Sequence, residues 1–204
     1  MFALVESGTI TQFPKGNKGI TLGENQYPSS IYSLWTEAER NAIGIYTVEI
    51  DSTNRKDEEF YVNTNITYAF GSGKVTGSYG TATAKAIADA DAVDDSGNKI
   101  KDADGNQVIN YGLKTKYKNQ FNAEAAGLLA KTDWYVIKAT DVESYSVPSN
   151  IATYRAAVRT KVNAMETSID GCSDVAALIT LLTYTKDSEG VVSRPLGEFP
   201  DEVV

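Results

Sequence analysis

The chain of 204 residues has no histidine and only one cysteine, Cys172. The absence of histidine excludes a Ser-His-Asp triad, a His-ligated zinc site and a histidine pH switch. A single cysteine cannot form an intramolecular disulfide or a cysteine-rich zinc site. Because a nucleophilic thiol needs an activating base or positive surroundings, we expect Cys172 to be a structural residue of the interior.

Long apolar runs and an excess of positive charge are also missing. No stretch approaches the roughly 20 apolar residues that a membrane-spanning helix needs, and the residues from Met1 to Glu6 lack the basic region of a secretory signal. The net charge of −8 and the pI near 4.6 disfavour nucleic-acid binding, which requires clustered lysine and arginine. We therefore expect a protein that folds in the cytoplasm, binds neither membrane nor nucleic acid, and faces a protein partner or solvent.

The carboxylates and glycines that are present form no recognisable catalytic pattern. Asp57-Glu58-Glu59 and Asp94-Asp95 lie in hydrophilic segments typical of turns, with no apolar surroundings to raise a carboxyl pKa for acid-base work. The glycine-rich segment 71–80 lacks the combination of lysine and helix start that a phosphate-binding loop requires. The sequence predicts no catalytic residue, no cofactor and no enzymatic activity.

Residues 1–83 predict an antiparallel β-sheet with one short helix. Apolar and β-branched residues on either side of Gly8 indicate an opening hairpin, because this glycine can adopt the positive φ of a tight turn. The helix is predicted between Thr36 and Gly44, with a capping box of Thr36 and Glu39 at its start and a left-handed exit at Gly44. Further strands are indicated at 45–50, 59–62, 67–70 and 74–79.

Residues 84–110 are rich in Ala, Asp, Gly and Asn and contain two turn signatures, 95–98 and 102–106. Each signature offers an Asp or Asn that can bond its own backbone and a Gly for positive φ. We interpret this segment as a linker with a turn or small hairpin. The acidic spacing also suggests a calcium site, but the glycine comes too early for an EF-hand loop and no closing glutamate follows. Turn chemistry is the preferred interpretation, and metal binding is left open.

Residues 111–204 predict a helical module of about three helices with an irregular tail. Apolar residues recur every three or four positions in three stretches, the pattern of amphipathic helices that pack together. The third helix is also indicated by the favourable cap Ser173-Asp174. The three stripes are Leu113, Tyr117, Phe121 and Leu128, then Ile151, Tyr154, Val158, Val162, Met165 and Ile169, and finally Val175, Leu178, Ile179 and Leu182. Together with the N-terminal sheet, they predict the α+β fold class.

Five residues of the helical module are candidates for contact with a partner. Trp134 follows the first predicted helix, where it is either a lid over the helix end or a contact residue, and Tyr135 lies beside it. Arg155 and Arg159 are four positions apart on one helical face next to Tyr154, so a basic strip could meet an acidic or carbonyl-rich surface. The alternative for the two arginines is a solvated face with local ion pairs.

Tyr27 and Trp35 in the N-terminal module present the same choice between core and contact. The chain has 12 Tyr, a residue enriched where proteins meet other proteins. Aromatic faces also stack on sugars. A host-surface glycan-binding module is therefore the alternative to a protein-binding one.

Two parts of the sequence resemble bacteriophage tail assembly chaperones and tail-fibre assembly proteins. The C-terminal modules of those families carry a Leu-Leu pair, a Thr/Ser-Asp-Trp step, a short spacer with Pro and a Tyr-Arg-x-x-Leu/Val-Arg helix. The corresponding residues are Leu128-Leu129, Thr132-Asp133-Trp134, Pro148, Tyr154-Arg155 and Val158-Arg159. The opening segment from Phe2 to Pro14 also looks like the start of such proteins. The segment from Gly44 to Val48 follows later in the same order.

The resemblance implies a non-enzymatic phage protein that binds a tail fibre or another tail or baseplate protein, without nucleic acid or membrane. Its expected location is the host cytoplasm during assembly, or the virion tail if it stays attached to the fibre; an oligomer is compatible with either. The chain departs from the common pattern in the Asp/Gly-rich segment 84–110 and in the helix and tail beyond Gly171. These departures leave two roles open, a fibre assembly chaperone and a fibre-linked structural subunit of the virion tail.

Overall fold

The computed structural model describes residues 1–203, which form two compact units, residues 1–83 and residues 84–203. The described residues are mixed α+β, as predicted, with six helices and several small sheets. In the first unit the elements in chain order are β1 (Phe2–Glu6), β2 (Thr9–Gln12), β3 (Ile20–Leu22), β4 (Asn25–Tyr27), α1 (Ile31–Leu34), α2 (Glu37–Ala42), β5 (Ile45–Asp51), β6 (Tyr61–Val62), β7 (Thr67–Gly71) and β8 (Lys74–Ser78). A short strand, β9 (Thr83–Ala84), runs across the boundary.

The main sheet of the first unit has the strand order β2-β1-β5-β8-β7. Three of its four strand pairs are antiparallel, and β5 and β8 are parallel, with Val48 opposite Val75. This corrects the prediction of a purely antiparallel sheet. After β5 the chain forms β7 at the edge of the sheet, and a hairpin then places β8 between β5 and β7. Strand β8 therefore runs in the same direction as β5.

Two helices, rather than the predicted one, precede β5. The capping box of α2 is confirmed, since the Thr36 hydroxyl accepts from the Glu39 amide at 3.3 Å and the Glu39 carboxylate accepts from the Thr36 amide at 2.7 Å. Gly44 ends this segment with a φ of +82°, and a Cβ there would lie 2.7 Å from the Val5 carbonyl oxygen. The additional helix, α1, is a single turn that supplies the buried residues Ile31 and Tyr32.

Side chains cover both faces of the main sheet. Successive residues of β1 point to opposite faces, so Ala3 and Leu4 belong to different clusters. One cluster consists of Leu4, Ile20, Ile31, Tyr32 and Ile45, and the other of Ala3, Val48 and Val75. The edge strands β2 and β7 approach each other, with Cα atoms within 8 Å. The rings of Phe13 and Tyr68 lie 4.8 Å apart at this approach. The main sheet is therefore strongly curved.

The second unit contains β10 (Ala90–Asp91), β11 (Ile109–Asn110), α3 (Leu113–Ala130), α4 (Asp133–Asp141), α5 (Ser149–Asp170), α6 (Val175–Leu182), β12 (Thr185–Lys186) and β13 (Val192–Ser193). Segment 84–110 clusters with these helices and is a small β-structure with two turns. Backbone hydrogen bonds run from Ala92 to Val108, from Val108 to Ile100 and from Ile100 to Ala92. Segment 84–110 is therefore held together by its own backbone and attached to α3, whose Gly112 amide donates to Asp89.

Helices α3 and α5 run antiparallel and form the centre of the second unit. Their predicted stripes are buried at Phe121, Val158 and Met165, among others. Lys118 pairs with Asp170 at 2.8 Å along this contact. The predicted third helix is present as α6, but Asp174 rather than Ser173 is its cap, since the Asp174 carboxylate accepts from the Ala177 amide. The tail folds back on the unit, with the Leu196 side chain buried and its carbonyl accepting from Lys161 at 2.7 Å.

Candidate partner-binding site

Helix α4 is a second helix that the sequence did not predict, and it contains two of the candidate residues, Trp134 and Tyr135. Thr132 lies between α3 and α4, so Trp134 is in the first turn of a new helix rather than in a loop covering the end of the previous one. Asp133 is in the same first turn, where a carboxylate interacts favourably with the positive end of the helix. This acid was the local signal for α4.

The guanidinium of Arg155 fixes the junction between α3 and α4. One of its nitrogens donates to the Leu129 carbonyl at 2.8 Å and to the Thr132 hydroxyl at 2.7 Å, and the other donates to the Asp133 carboxylate at 2.7 Å. Arg155 is only 6% exposed. The planar fork of an arginine can satisfy several acceptors at once, so Arg155 satisfies a carbonyl at the end of α3 and holds the first turn of α4.

This arrangement corrects the prediction of a basic contact strip formed by Arg155 and Arg159. Arg155 is buried because three acceptors draw it into the helix junction, and Tyr154 is buried within the apolar stripe of α5. Arg159 alone remains exposed, with its guanidinium 3.4 Å from the Arg155 carbonyl oxygen. Tyr154 and Arg155 are therefore residues that build the unit, and Arg159 is the basic residue of this group that a partner could reach.

The outward side of α4 is apolar. None of the nine residues of this helix is buried, and Trp134 and Ile137, three positions apart on one face, are 51% and 60% exposed. Val136 is also exposed, and Tyr135 is half-buried with its ring centroid 3.8 Å from that of Trp134. We call Trp134, Tyr135, Ile137 and Lys138 the α4 surface; Val136, two positions from Trp134, lies on another side of the helix.

Lys138 adds a positive charge to the α4 surface. Its ammonium lies 4.4 Å from the ring centroid of Tyr145 and 5.8 Å from that of Trp134, distances at which a cation is attracted to an aromatic face. Sequence reasoning missed Ile137 and Lys138, although their spacing of three and four residues from Trp134 is that of neighbours on a helix. The α4 surface thus combines aromatic, aliphatic and cationic groups.

Tyr27 and Trp35 are placed in the first unit, where they contact each other. Their ring centroids are 5.7 Å apart in an edge-to-face arrangement, and both side chains are half-buried against the cluster of Leu4 and Ile45. They therefore contribute to the core, and neither belongs to the α4 surface.

The remaining candidate chemistry of the second unit is structural. As predicted, Cys172 is buried, and burial raises the pKa of its thiol, which disfavours the reactive thiolate. The Asp94 and Asp102 carboxylates each accept two backbone amide hydrogen bonds inside their turns. Within residues 1–203, no group of three or more Cys, Asp or Glu side chains is arranged to hold a metal ion.

No helix in the described part of the chain is long and apolar enough to cross a bilayer. Comparison of the chain with protein-family models, with curated proteins and with solved structures gave no significant match. The features that bear on function are the exposed side chains of the α4 surface and the sequence resemblance to phage tail proteins.

Proposed function

We propose that this protein is a non-enzymatic bacteriophage tail protein that binds a tail fibre or another tail or baseplate protein through its α4 surface. It acts as a fibre assembly chaperone or as a fibre-linked subunit of the virion tail. The observation that carries the proposal is the exposure of Trp134 and Ile137 on a helix without any buried residue. Contiguous exposed apolar groups on a folded unit are typical of surfaces that meet another protein.

Removal of the Trp134 and Ile137 side chains from water would favour binding of a partner. Burial of one large apolar side chain stabilises a complex by roughly 1.5 to 3 kcal/mol, and tryptophan is among the residues that most often dominate protein interfaces. The half-buried Tyr135 ring supports Trp134 from the side. Restricting the indole in this way lowers the conformational entropy that binding would otherwise cost.

The residues of the phage-protein resemblance divide into two groups with different tasks. Arg155 bonds to Leu129, Thr132 and Asp133, all of which belong to the resemblance, and so holds the α3–α4 junction. Trp134 is the exposed aromatic member of the resemblance. This division supports the proposal, because a motif that combines a rigid clamp with an exposed aromatic residue suits presentation of that residue to a partner.

Co-expression with the tail-fibre protein encoded nearest to this chain tests the proposal. We expect a complex, or increased solubility of the fibre, and we expect Trp134→Ala and Ile137→Ser each to weaken binding about tenfold or more. Val192→Ser is the matched control, because Val192 is as exposed as Ile137 but lies in β13, outside the α4 surface. The absence of both a complex and a change in fibre solubility would contradict the proposal.

Mass spectrometry of purified phage particles separates the two roles within the proposal. A fibre assembly chaperone acts during assembly and is absent from the finished particle. A fibre-linked subunit remains in the particle in a fixed ratio to the fibre. The same α4 variants should reduce fibre assembly in the first case, and incorporation of this chain into the particle in the second.

A further inference from the structure

A second candidate site lies in the first unit and contains none of the α4 residues. It is a cleft of about 320 Å³ between the end of β2, the loop that follows it and α1. Its lining combines the apolar side chains of Phe13, Pro14 and Ile20 with polar groups from Gln12, Lys15, Lys18 and Tyr32. No acidic residue lines it, although the whole chain carries a net charge of −8.

Tyr32 gives the cleft an unusual feature. This residue is only 8% exposed, and its hydroxyl is buried without a hydrogen-bond partner in the part of the chain that the structure describes. Most buried polar side chains in native proteins do have a partner, so the hydroxyl of this cleft-lining residue is a donor that has no acceptor among the described residues. A tyrosine hydroxyl is protonated at neutral pH, and burial raises the pKa of Tyr32 further.

The two lysines define the charge that the cleft favours. Lys15 and Lys18 are both exposed and both line the cleft. Two ammonium groups and a neutral hydroxyl donor together favour an oxyanion, because hydrogen bonds to an ionised acceptor are stronger than those between neutral groups. The apolar wall of Phe13, Pro14 and Ile20 favours a ligand whose charged group is attached to an apolar body.

We propose that this cleft binds a carboxylate carried by a small apolar group, with Tyr32 and the lysines Lys15 and Lys18 as donors. The volume of the cleft is at the lower end of the range for small-molecule sites, so it takes a group about the size of one amino-acid residue. A free carboxylic acid and the C-terminal residue of a peptide both present this chemistry. The inference is independent of the proposed tail function, since it uses neither α4 nor the resemblance of the helical module.

Titration of the full chain with N-acetyl-leucine, followed by NMR or calorimetry at low salt, tests the proposal. N-acetyl-leucinamide is the matched neutral probe, and we expect it to bind about tenfold more weakly because the charge-assisted hydrogen bonds are lost. A peptide that ends in a free C-terminal leucine distinguishes the sources. If it binds as well as the free acid, the ligand is a chain terminus, and if it does not, the ligand is a small free acid.

Variants of the donors complete the test. Tyr32→Phe should weaken binding of N-acetyl-leucine about threefold to tenfold without lowering the melting temperature, because the hydroxyl has no partner within the described chain. Lys15→Gln and Lys18→Gln should each weaken binding independently of that variant. Tyr154→Phe is the matched control, since it removes another buried hydroxyl without a partner, in the second unit. Equal binding of acid and amide, no binding of either, or unchanged binding by Tyr32→Phe would overturn the proposal.

Discussion

Arg155 satisfies three acceptors where α3 ends and α4 begins. The ion pair itself contributes little, because the Asp133 side chain is 52% exposed and an ion pair that water reaches stabilises by under about 1 kcal/mol. The larger effect comes from the Leu129 carbonyl and the Thr132 hydroxyl. Thr132 is buried and keeps its own hydrogen bond to the Leu129 carbonyl, so Arg155 adds hydrogen bonds from a charged donor, which stabilise by about 1.5 to 3 kcal/mol.

We therefore predict that Arg155→Met lowers the free energy of unfolding by about 2 kcal/mol. Urea denaturation followed by circular dichroism measures this change. Arg159→Met is the matched control, because Arg159 is exposed on the same helix, and it should change stability by less than about 0.5 kcal/mol. If the two variants proved equally stable, Arg155 would not be the residue that holds the junction.

At the scale of the element, the second unit contains three copies of the same turn, each closed by an aspartate carboxylate. The carboxylate of Asp94 accepts from the amides of Ser96 and Asn98, and Asp102, eight residues later, accepts from Asp104 and Asn106 in the same way. A third copy starts at Asp187 in the hairpin of β12 and β13, with donors at Glu189 and Val191. Each copy has a glycine with positive φ three residues after the aspartate: Gly97, Gly105 and Gly190.

These turns predict a specific loss of stability in acid. Backbone hydrogen bonds from Asn98 and Asn106 hold the pKa of Asp94 and Asp102 below the usual value. A carboxyl whose folded pKa is lowered stabilises the fold above its unfolded pKa of about 3.9, and the effect is lost as the pH falls through the folded pKa. The melting temperature should therefore fall less below pH 4 for the double variant Asp94→Asn/Asp102→Asn than for the unmodified chain.

The control for this prediction changes the neighbouring acids. Asp95→Asn/Asp104→Asn removes the same number of charges, but in the described structure the carboxylates of Asp95 and Asp104 accept no hydrogen bond from their turns. Melting curves of the three proteins between about pH 6 and pH 2 cover the range in which the carboxyls titrate. If the melting temperatures of both double variants fell equally little below pH 4, the loss of net charge rather than of turn hydrogen bonds would be the cause.

The predicted elements that the structure confirms are those whose signals are local. Thr36 and Glu39 start α2, and Asp174 starts α6, because a helix cap is made by side chains within three residues of the amides they satisfy. Asp133 is a local signal for the start of α4, but the contact that holds this start comes from Arg155, which is 22 residues away from Asp133. Sequence patterns of neighbouring residues cannot contain that contact.

At the scale of the whole molecule, each unit contains its own core. Both clusters around the main sheet draw all their residues from the first unit, and the α3–α5 contact lies within the second. A domain of about this size can bury enough apolar surface to fold alone. We predict that separate fragments of residues 1–83 and 84–204 are both folded.

Two-dimensional NMR spectra of the two fragments check this prediction. Each fragment should give dispersed amide signals, and the spectrum of fragment 1–83 should contain the downfield shifts of a β-sheet. The fragment 84–204 should retain the acid sensitivity that the Asp turns produce. A random-coil spectrum from either fragment would contradict the prediction and would mean that this unit needs the rest of the chain.

The sequence by itself determined the α+β class, the strands around Gly8, the capped helices α2 and α6, and the apolar stripes of α3 and α5. All of these depend on periodicity or on hydrogen bonds between near neighbours. Only the tertiary structure decided that β5 and β8 are parallel, that Arg155 is buried and that Trp134 stands on an exposed helix. Those outcomes depend on contacts between residues far apart in the chain, and the same arginine side chain can face water or a buried carbonyl until the fold brings the carbonyl to it.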